Sequence, residues 1–577
     1  MIQNTSIYKK IYPYGCKTEL KELLSVAWPI GIESLLQYLI IVESLGFSGH
    51  LGKDALDAVQ LTTTIINVLG FSVITGMCTA LETLLPQTFC TNKQNFSLTI
   101  QRGTIIISLA CIMISTLFIN MEHILILIGQ RRTVARLGGQ YAMILIAGFP
   151  GNAYILVLQR YLISQSIVMP GVILEIIGNV LNIGYHSLFI IGFNWGVRGA
   201  GIAVSATYWS LVLLYLLFIR YTGLYKDTWS GISKKCLTEW NTFLKLAVPG
   251  IFMIALQWCG VEMSVIICGF LDEVQLAAHT IVFQIYFVIF TVPLGIAVGA
   301  CVKVGYSLSV GNHKKAMTTS RVAASITVLV VVVVAVTLLA LRYVLPKAFT
   351  DNVEIVELSS KLFPLLALYS LFDFVAITLQ GVLRGVGQQR FAAIFTLVSY
   401  YVIGLPLSIT LTLYTSLKVA GAWWAMIISS VFQCVVYFIK LERLSWEEES
   451  IKAQERAGVR RSLNYQAVYI GDHIQEGKTY LSEHDFQELF QNNEDTLSMG
   501  KDYQELISEE KTKKDIDVEF TFILKRRACL LLSFLVILAA SILLKYSLDG
   551  KLWIRYQQCS LNGTLYNETS GRLYSCR

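Results

Sequence analysis

Six acidic side chains lie inside the long apolar stretches of this 577-residue chain: Glu33, Glu43, Glu82, Glu175, Glu262 and Asp373. An ionisable group near the centre of a bilayer costs at least about 2.5–3.5 kcal/mol, so it usually faces protein or water and serves a function. Burial favours the neutral form of a carboxyl group, whereas a nearby cation favours its charged form. A proton and a cation therefore compete for one buried carboxyl group, which is the chemistry that ion exchange requires.

Thirteen apolar stretches are long enough to carry these acids across a bilayer, for which about 20 residues of helix suffice. Only 15% of the residues are charged and 54% are hydrophobic, whereas roughly a quarter of a soluble chain is charged. This composition excludes an ordinary soluble enzyme and a disordered chain, and it predicts an all-α polytopic membrane protein. The predicted stretches are 24–49, 61–87, 102–120, 137–160, 171–194, 199–220, 243–271, 275–302, 321–342, 361–383, 391–415, 419–440 and 528–544.

The first twelve stretches form two related sets of six, because short motifs recur about 220 residues apart. The recurring positions include Pro29 and Pro249, Gln159 and Gln380, and Gly201 and Gly421. An even number of spans per set gives both sets the same orientation in the membrane. Parallel halves around a central site are typical of transporters. A channel or a receptor is the alternative, and neither explains the duplication as well.

Glu43 and Glu262 are the sharpest pair of candidate residues, because they occupy the first span of each half, 219 residues apart. We expect each to face the space between the halves and to bind a proton or a cation. The structural alternative is a protonated carboxyl group that a neighbouring helix satisfies.

Asp373 lies beside three aromatic residues of the tenth span, Tyr369, Phe372 and Phe374. An acid next to aromatic rings suits an organic cation, which gains a cation–π attraction of roughly 0.5–2 kcal/mol. The rings taken alone are ordinary packing material. Glu33, Glu82 and Glu175 lie nearer span ends or have no counterpart in the other half, so a structural role is at least as good an interpretation for them.

The distribution of charge predicts the orientation and the domains. Lys and Arg, counting Arg160 and Arg384, are about twice as frequent in the loops on the side of the N-terminus, which places that side in the cytoplasm. Residues 442–527 hold 19 acidic and 13 basic residues. The predicted segments are a cytoplasmic N-terminus (1–23), a first lobe (24–222), a cytoplasmic linker (223–241), a second lobe (242–440), an acidic cytoplasmic linker (441–527), a last span (528–547) and an extracellular tail (548–577).

The tail and the cysteines suggest modification rather than metal chemistry. Asn562 and Asn567 each begin a glycosylation sequon, and Cys559 and Cys576 can form a disulfide if the tail is extracellular. The chain has no Cys or His array with metal-ligand spacing. We therefore expect no metal and no cofactor.

Several motifs together resemble the multidrug and toxin extrusion (MATE) family, in particular its animal branch with thirteen spans. The resemblance covers roughly residues 20–440. The motifs are Gly49-His50-Leu51-Gly52-Lys53, Leu56-Asp57-Ala58-Val59, Ile66-Asn67-Val68, Pro86-Gln87-Thr88, Gln159-Arg160-Tyr161-Leu162, Ser164-Gln165, Val302-Lys303-Val304-Gly305, Gly381-Val382-Leu383-Arg384-Gly385 and Ser399-Tyr400-Tyr401 through Pro406.

The resemblance implies two six-helix lobes around a V-shaped cleft, and proton-coupled efflux of organic cations. Glu262 matches a family acid of the seventh helix, and Asp373 matches a glutamate of the tenth. Ile267 and Gln284 stand where the family has glutamates.

Two further positions carry over from the family. Asn67 matches a polar residue of the second helix, and Glu43 falls close to the first-helix acid of bacterial relatives. We thus expect Glu43, Glu262 and Asp373 to couple protons or cations, and Asn67, Gln284, Tyr369 and Phe372 to line the substrate cleft.

The sequence therefore predicts an antiporter, not an enzyme, that exchanges protons for small organic cations and xenobiotics by alternating access between the lobes, with sodium as the alternative coupling ion. The alternatives are a lipid or lipid-linked flippase of the same architecture and a non-transporting membrane scaffold. The expected partners are the substrate, protons and the lipid bilayer, without nucleic acid and without a required oligomer. The expected location is the plasma membrane, with the N-terminus cytoplasmic and the C-terminus extracellular.

Overall fold

Twelve long helices, α1 to α12, dominate the part of the chain that the computed structural model describes. This part comprises residues 16–458, Ser541, Lys545 and two strands. Each helix is long and apolar enough to cross a membrane. The helices are α1 Cys16–Gly49, α2 Lys53–Phe89, α3 Lys93–Ile119, α4 Arg132–Ser164, α5 Met169–Gly192, α6 Gly196–Thr222, α7 Trp240–Cys268, α8 Glu273–Ser309, α9 His313–Leu341, α10 Val353–Val386, α11 Gln389–Leu413 and α12 Val419–Glu442.

The first twelve predicted stretches each fall on one of these helices, but most helices are longer than predicted. Helix α1 begins at Cys16 rather than at residue 24 because its polar first turns are paired. Glu19, for example, lies 3.3 Å from the Lys315 amine of α9. An apolar stretch marks only the part of a helix inside the hydrocarbon core, whereas ion pairs stabilise helical turns beyond it.

Most of the C-terminal predictions lie outside the described residues. This applies to the disulfide between Cys559 and Cys576, to Asn562, and to the thirteenth span apart from Ser541 and Lys545. The Ser541 hydroxyl donates to the Thr116 carbonyl of α3 at 3.1 Å. In the tail, strand β1 (Thr564–Asn567) pairs antiparallel with β2 (Arg572–Ser575), so the backbone of Asn567 lies opposite that of Arg572.

The twelve helices form two lobes of six. In the first lobe, α4 packs against α6 and α1 packs against α5; in the second, α10 packs against both α8 and α12, and α7 packs against α11. Helices α5 and α11 hold equivalent places, and both contain a π-helical turn, at Ser187–Gly192 and Val398–Gly404. The shared irregularity agrees with the duplication that the sequence indicates.

The lobes meet where α1 packs against α8 and α2 against α7. A side chain added to Gly76 of α2 would collide with the backbone of Ile251 on α7, so these helices touch backbone to backbone. The other half of α2, Lys53–Ile66, packs mainly against helices of its own lobe. The lobes therefore form a V. Its closed end is the end at which α1 begins, and its open end is the end at which α1 stops.

A further helix, α13 (Trp446–Ala457), lies across the closed end and contacts both lobes. The Arg456 guanidinium donates to the Val386 carbonyl of α10 at 2.7 Å and to the Gln87 side chain of α2 at 3.2 Å. The Ser450 hydroxyl donates to the Leu308 carbonyl of α8 at 2.7 Å. The start of the acidic segment is thus an ordered helix where the sequence predicts a linker, because polar bonds and the packing of buried Ala453 fasten it.

The close approach of α2 and α7 predicts that Gly76→Ala destabilises the protein by about 1–3 kcal/mol, the usual cost of overpacking. Backbone atoms cannot rotate aside as a side chain can, so the lobes must separate. Thermal unfolding of the purified protein should show a lower midpoint for Gly76→Ala. Gly184→Ala on α5 is the matched control, since nothing lies within 4 Å of a side chain there. Equal midpoints for the two variants would contradict this account of the interface.

Candidate functional site

Asp373 lies inside the second lobe, on α10, and is fully buried. The Tyr286 hydroxyl of α8 donates to its Oδ2 at 2.6 Å. Its Oδ1 has no hydrogen-bond partner among the described residues. The ring centroid of Tyr286 lies 5.2 Å from that of Tyr369 and 6.4 Å from that of Phe374. The carboxyl group is thus enclosed by aromatic rings and keeps one oxygen without a donor.

Glu262 lies on α7 and is half-buried. In the described part of the chain, no hydrogen bond or ion pair to its carboxyl group is found. Ile267, where the family resemblance predicts a glutamate, is buried and lines a small cavity together with Ser264 and Tyr400. This cavity therefore has a hydroxyl-bearing and apolar lining at that point instead of a second negative charge.

Glu43 lies in the outer part of α1 and takes part in a network of polar groups within the first lobe. The Asn182 amide of α5 donates to Glu43 Oε2 at 2.7 Å. The Thr207 hydroxyl of α6 in turn donates to Asn182 Oδ1 at 3.0 Å. No lysine or arginine among the described residues pairs with Glu43, so neutral groups alone orient its carboxyl group.

The four predicted cleft residues lie in three different places. Asn67 is half-buried in the first lobe, at the start of the π-helical turn Asn67–Phe71 of α2. Gln284 of α8 accepts a hydrogen bond from the Tyr38 hydroxyl of α1, which joins the two lobes. Phe372 is half-buried on α10, whereas Tyr369 is only 1% exposed. A common substrate-lining role for these residues stays a prediction.

Glu82 forms a buried ion-pair cluster that the sequence does not predict. Its Oε1 lies 2.9 Å from Arg160 Nε on α4, and its Oε2 lies 3.4 Å from Arg384 Nε on α10. The side chains of Glu82 and Arg384 are only 2% and 4% exposed. The sequence places Arg160 and Arg384 in loops. In the structure they are the counterions of an intramembrane acid. Both follow the repeated Gln159 and Gln380 positions closely, which is the signal that could have revealed them.

This cluster joins the lobes at the closed end. Arg160 belongs to the first lobe and Arg384 to the second, so Glu82 holds a cation from each. Nearby, the Thr83 hydroxyl donates to the Arg384 carbonyl at 2.8 Å, and the Gln87 amide donates to the Gly385 carbonyl at 3.1 Å. The closed end is thus sealed by buried polar bonds between α2 and α10.

Among the described residues, no group of three or more His, Cys, Asp or Glu side chains is placed to hold a metal ion. For Glu43, Glu262 and Asp373, the chemistry on offer is that of single carboxyl groups. Two lie in the second lobe and one in the first, and no contact joins the three within the described part of the chain.

Comparisons with a family model and with individual proteins identify the same family. The family model described as MatE matches residues 29–187 and 249–410, two segments that begin 220 residues apart. The chain is 37% identical over 448 residues to Multidrug and toxin extrusion protein 1 of Rattus norvegicus, an alignment that covers 77% of this chain and 79% of the relative. It is 36% identical over 445 residues to the protein of the same name in Homo sapiens, covering 77% and 78% of the two chains.

Solved structures agree with the sequence relatives. The fold is similar to that of the eukaryotic MATE transporter AtDTX14, with a TM-score of 0.72 and 28% identity over 76% of this chain and 99% of that one. It also resembles an outward-facing multidrug resistance MATE transporter, with a TM-score of 0.66 and 18% identity over 76% and 96% of the two chains. The chain therefore belongs to the MATE family of multidrug and toxin extrusion transporters.

Proposed function

We propose that this MATE transporter exports organic cations in exchange for protons by exposing its cleft alternately at its two ends. One observation carries the proposal. Glu43, Glu262 and Asp373 have no Lys or Arg partner among the described residues, whereas Glu82 lies within 3.4 Å of an arginine from each lobe. Uncompensated negative charge in an apolar setting attracts either a proton or a substrate cation.

Asp373 has the surroundings that suit an organic cation. Its carboxyl group provides Coulomb attraction, and the rings of Tyr286 and Tyr369 can add cation–π attraction of about 0.5–2 kcal/mol. The Tyr286 hydroxyl occupies one oxygen of the acid, and Tyr369 covers it from its own helix. A substrate therefore reaches Asp373 only when α8 moves relative to α10, which ties binding to a change of conformation.

The closed end explains how such a change is resisted. To open it, the Glu82–Arg384 pair must separate, together with the bonds that Arg456 makes between α2 and α10. Separating these groups gives up their Coulomb attraction and hydrogen bonds, so the contacts oppose opening. We infer that protonation and substrate binding supply the difference in free energy between the two states.

A lipid flippase of this architecture has less support. A phosphate headgroup requires cationic side chains in the cleft, but Arg160 and Arg384 both pair with Glu82 at the closed end. The acids without counterions favour a positively charged substrate. A plasma-membrane location, with a cytoplasmic N-terminus and an extracellular C-terminus, completes the proposal, because efflux of xenobiotics requires the cell surface.

Neutral variants of the three acids should impair exchange. In proteoliposomes with an imposed pH gradient, Glu43→Gln, Glu262→Gln and Asp373→Asn should each lower tetraethylammonium flux by about tenfold or more, equivalent to about 1.4 kcal/mol of lost interaction. Each substitution removes the charge and nearly preserves the shape. Radiolabelled tetraethylammonium uptake measures the effect, and a sodium gradient in place of the pH gradient tests the coupling ion.

Glu357→Gln is the control for these variants. Glu357 lies on the same helix as Asp373 but is exposed and pairs with Lys361 at 2.8 Å, so its loss should leave the flux unchanged. A triple variant of Glu43, Glu262 and Asp373 that transports at the wild-type rate would refute the site. Flux driven by sodium but not by protons would refute the proposed coupling ion.

Deleting residues 459–515 separates a transporter from a scaffold. The deletion retains α13, which fastens the closed end, and removes most of the acidic segment. We expect the flux of tetraethylammonium to fall by less than about twofold, since all twelve long helices and their contacts are intact. Loss of transport from this variant, while a monodisperse protein is still obtained, would instead favour a function that resides in the acidic segment.

A further inference from the structure

Two more intramembrane acids, Glu33 on α1 and Glu175 on α5, lie deep in the first lobe, apart from the three acids of the proposed exchange. Glu33 is 4% exposed and Glu175 is fully buried. From the sequence, a structural or rim role is at least as good an interpretation for them as a functional one. Their surroundings in the folded lobe indicate a different one.

Glu33 lies directly against α5. A side chain at Gly171 would collide with the Glu33 carboxyl group, whose Cδ would lie 2.9 Å from the added carbon. Gly171 and Glu175 are four residues apart on α5 and therefore share one face of that helix. The missing side chain at Gly171 thus leaves a cradle that brings the Glu33 carboxyl group onto the face that carries Glu175.

Neutral side chains connect the two acids. The Tyr215 hydroxyl of α6 donates to Glu33 Oε1 at 2.9 Å. The Gln159 amide of α4 lies 3.1 Å from Glu175 Oε1 and 3.3 Å from the Tyr215 hydroxyl. The Gln37 amide of α1 also donates to Glu175 Oε1, at 3.3 Å. Four helices therefore contribute to one buried network that contains two carboxyl groups.

The charges around this network do not balance if both acids are ionised. Arg160 is the buried cation next to the pair, and it already lies 2.9 Å from Glu82. Glu82, Glu33 and Glu175 would carry three negative charges against the two positive charges of Arg160 and Arg384. The other ionisable groups that face the pair or its arginine are neutral when protonated: Tyr208 and Tyr215 of α6, Cys78 of α2 and Cys301 of α8.

Glu175 also has an oxygen that no group among the described residues satisfies. Its Oε2 is buried and has no hydrogen-bond partner in the described part of the chain. A bare carboxylate oxygen in such a place is costly, whereas a neutral acid is far less so. Two carboxyl groups that share a buried site typically hold one proton between them, because both cannot ionise together.

We propose that Glu33 and Glu175 form a proton-binding site that holds one proton, separate from the acids of the exchange site. The ligand is a proton and not a metal ion, because the groups around the carboxyl oxygens are O–H and N–H donors. A hard cation such as sodium or calcium instead requires a shell of oxygen ligands.

The position of the site gives the proton a role in opening the closed end; this role, unlike the occupancy itself, rests on the proposed function. Gln159, which bonds Glu175, precedes Arg160, which pairs with Glu82. When the pair loses its proton, its second negative charge competes with Glu82 for Arg160. The attraction between Glu82 and its two arginines, Arg160 and Arg384, then changes in strength. Deprotonation therefore biases the equilibrium between the two ends of the transporter.

Infrared spectroscopy of the purified full-length protein tests the occupancy without any transport measurement. At neutral pH, the wild type should show a carbonyl band from a protonated buried carboxyl group, and Glu33→Gln/Glu175→Gln should lose it. Glu357→Gln is the matched control and should retain this band, because that acid is exposed and paired with Lys361. An identical band in the wild type and the double variant would overturn the proposal.

Two further measurements complete the test. If the double variant does not fold, Tyr215→Phe keeps the ring and removes the donor to Glu33, so it should shift the carbonyl band; an unshifted band would overturn the proposal. Sodium chloride should leave the wild-type band as choline chloride does. Loss of the band in sodium chloride alone would mean that the site binds sodium and would refute a proton site. Since no substrate is involved, these results stand apart from any failure of tetraethylammonium transport.

Discussion

The buried ion pairs of Glu82 are the interaction on which the arrangement of the two lobes depends. A carboxylate in an apolar interior requires compensation, and Glu82 obtains it from Arg160 in its own lobe and from Arg384 in the other. The same carboxylate therefore stabilises the packing within the first lobe and the contact between the two lobes. Bonds from Thr83, Gln87 and Arg456 surround it, so polar bonds reinforce the apolar packing of α1 against α8 at the closed end.

The six intramembrane acids fall into three classes according to their partners. Glu82 is paired with guanidinium groups and holds the lobes together. Glu43, Glu262 and Asp373 have no cationic partner among the described residues and can accept one from solution. Glu33 and Glu175 accept hydrogen bonds from neutral donors that belong to one network, and this arrangement favours a shared proton. The partner, and not the residue type, thus determines whether an intramembrane acid is structural, exchanges ions or stores a proton.

The duplicated halves share a backbone plan but differ in chemistry. Helices α5 and α11 repeat a π-helical turn, and α1 and α7 repeat a proline. The first lobe surrounds Glu33, Glu43 and Glu175 with amides and hydroxyls, whereas the second surrounds Asp373 with aromatic rings. The two halves thus share how their helices bend, while the groups that line their interiors differ.

The sequence by itself determined the membrane class, the twelve spans of the described part and their duplication, because apolar length and recurring motifs are local properties. It also picked out the acids, since a charge inside an apolar stretch is conspicuous. It could not assign their partners, because it placed Arg160 and Arg384 in loops. It also predicted a linker where α13 is a helix. Those assignments depend on contacts between residues some 80 to 370 positions apart, which only the packing of the lobes brings together. Whether a buried acid is neutralised, shares a proton or awaits a ligand is decided by that packing, because charge compensation acts through space and not along the chain.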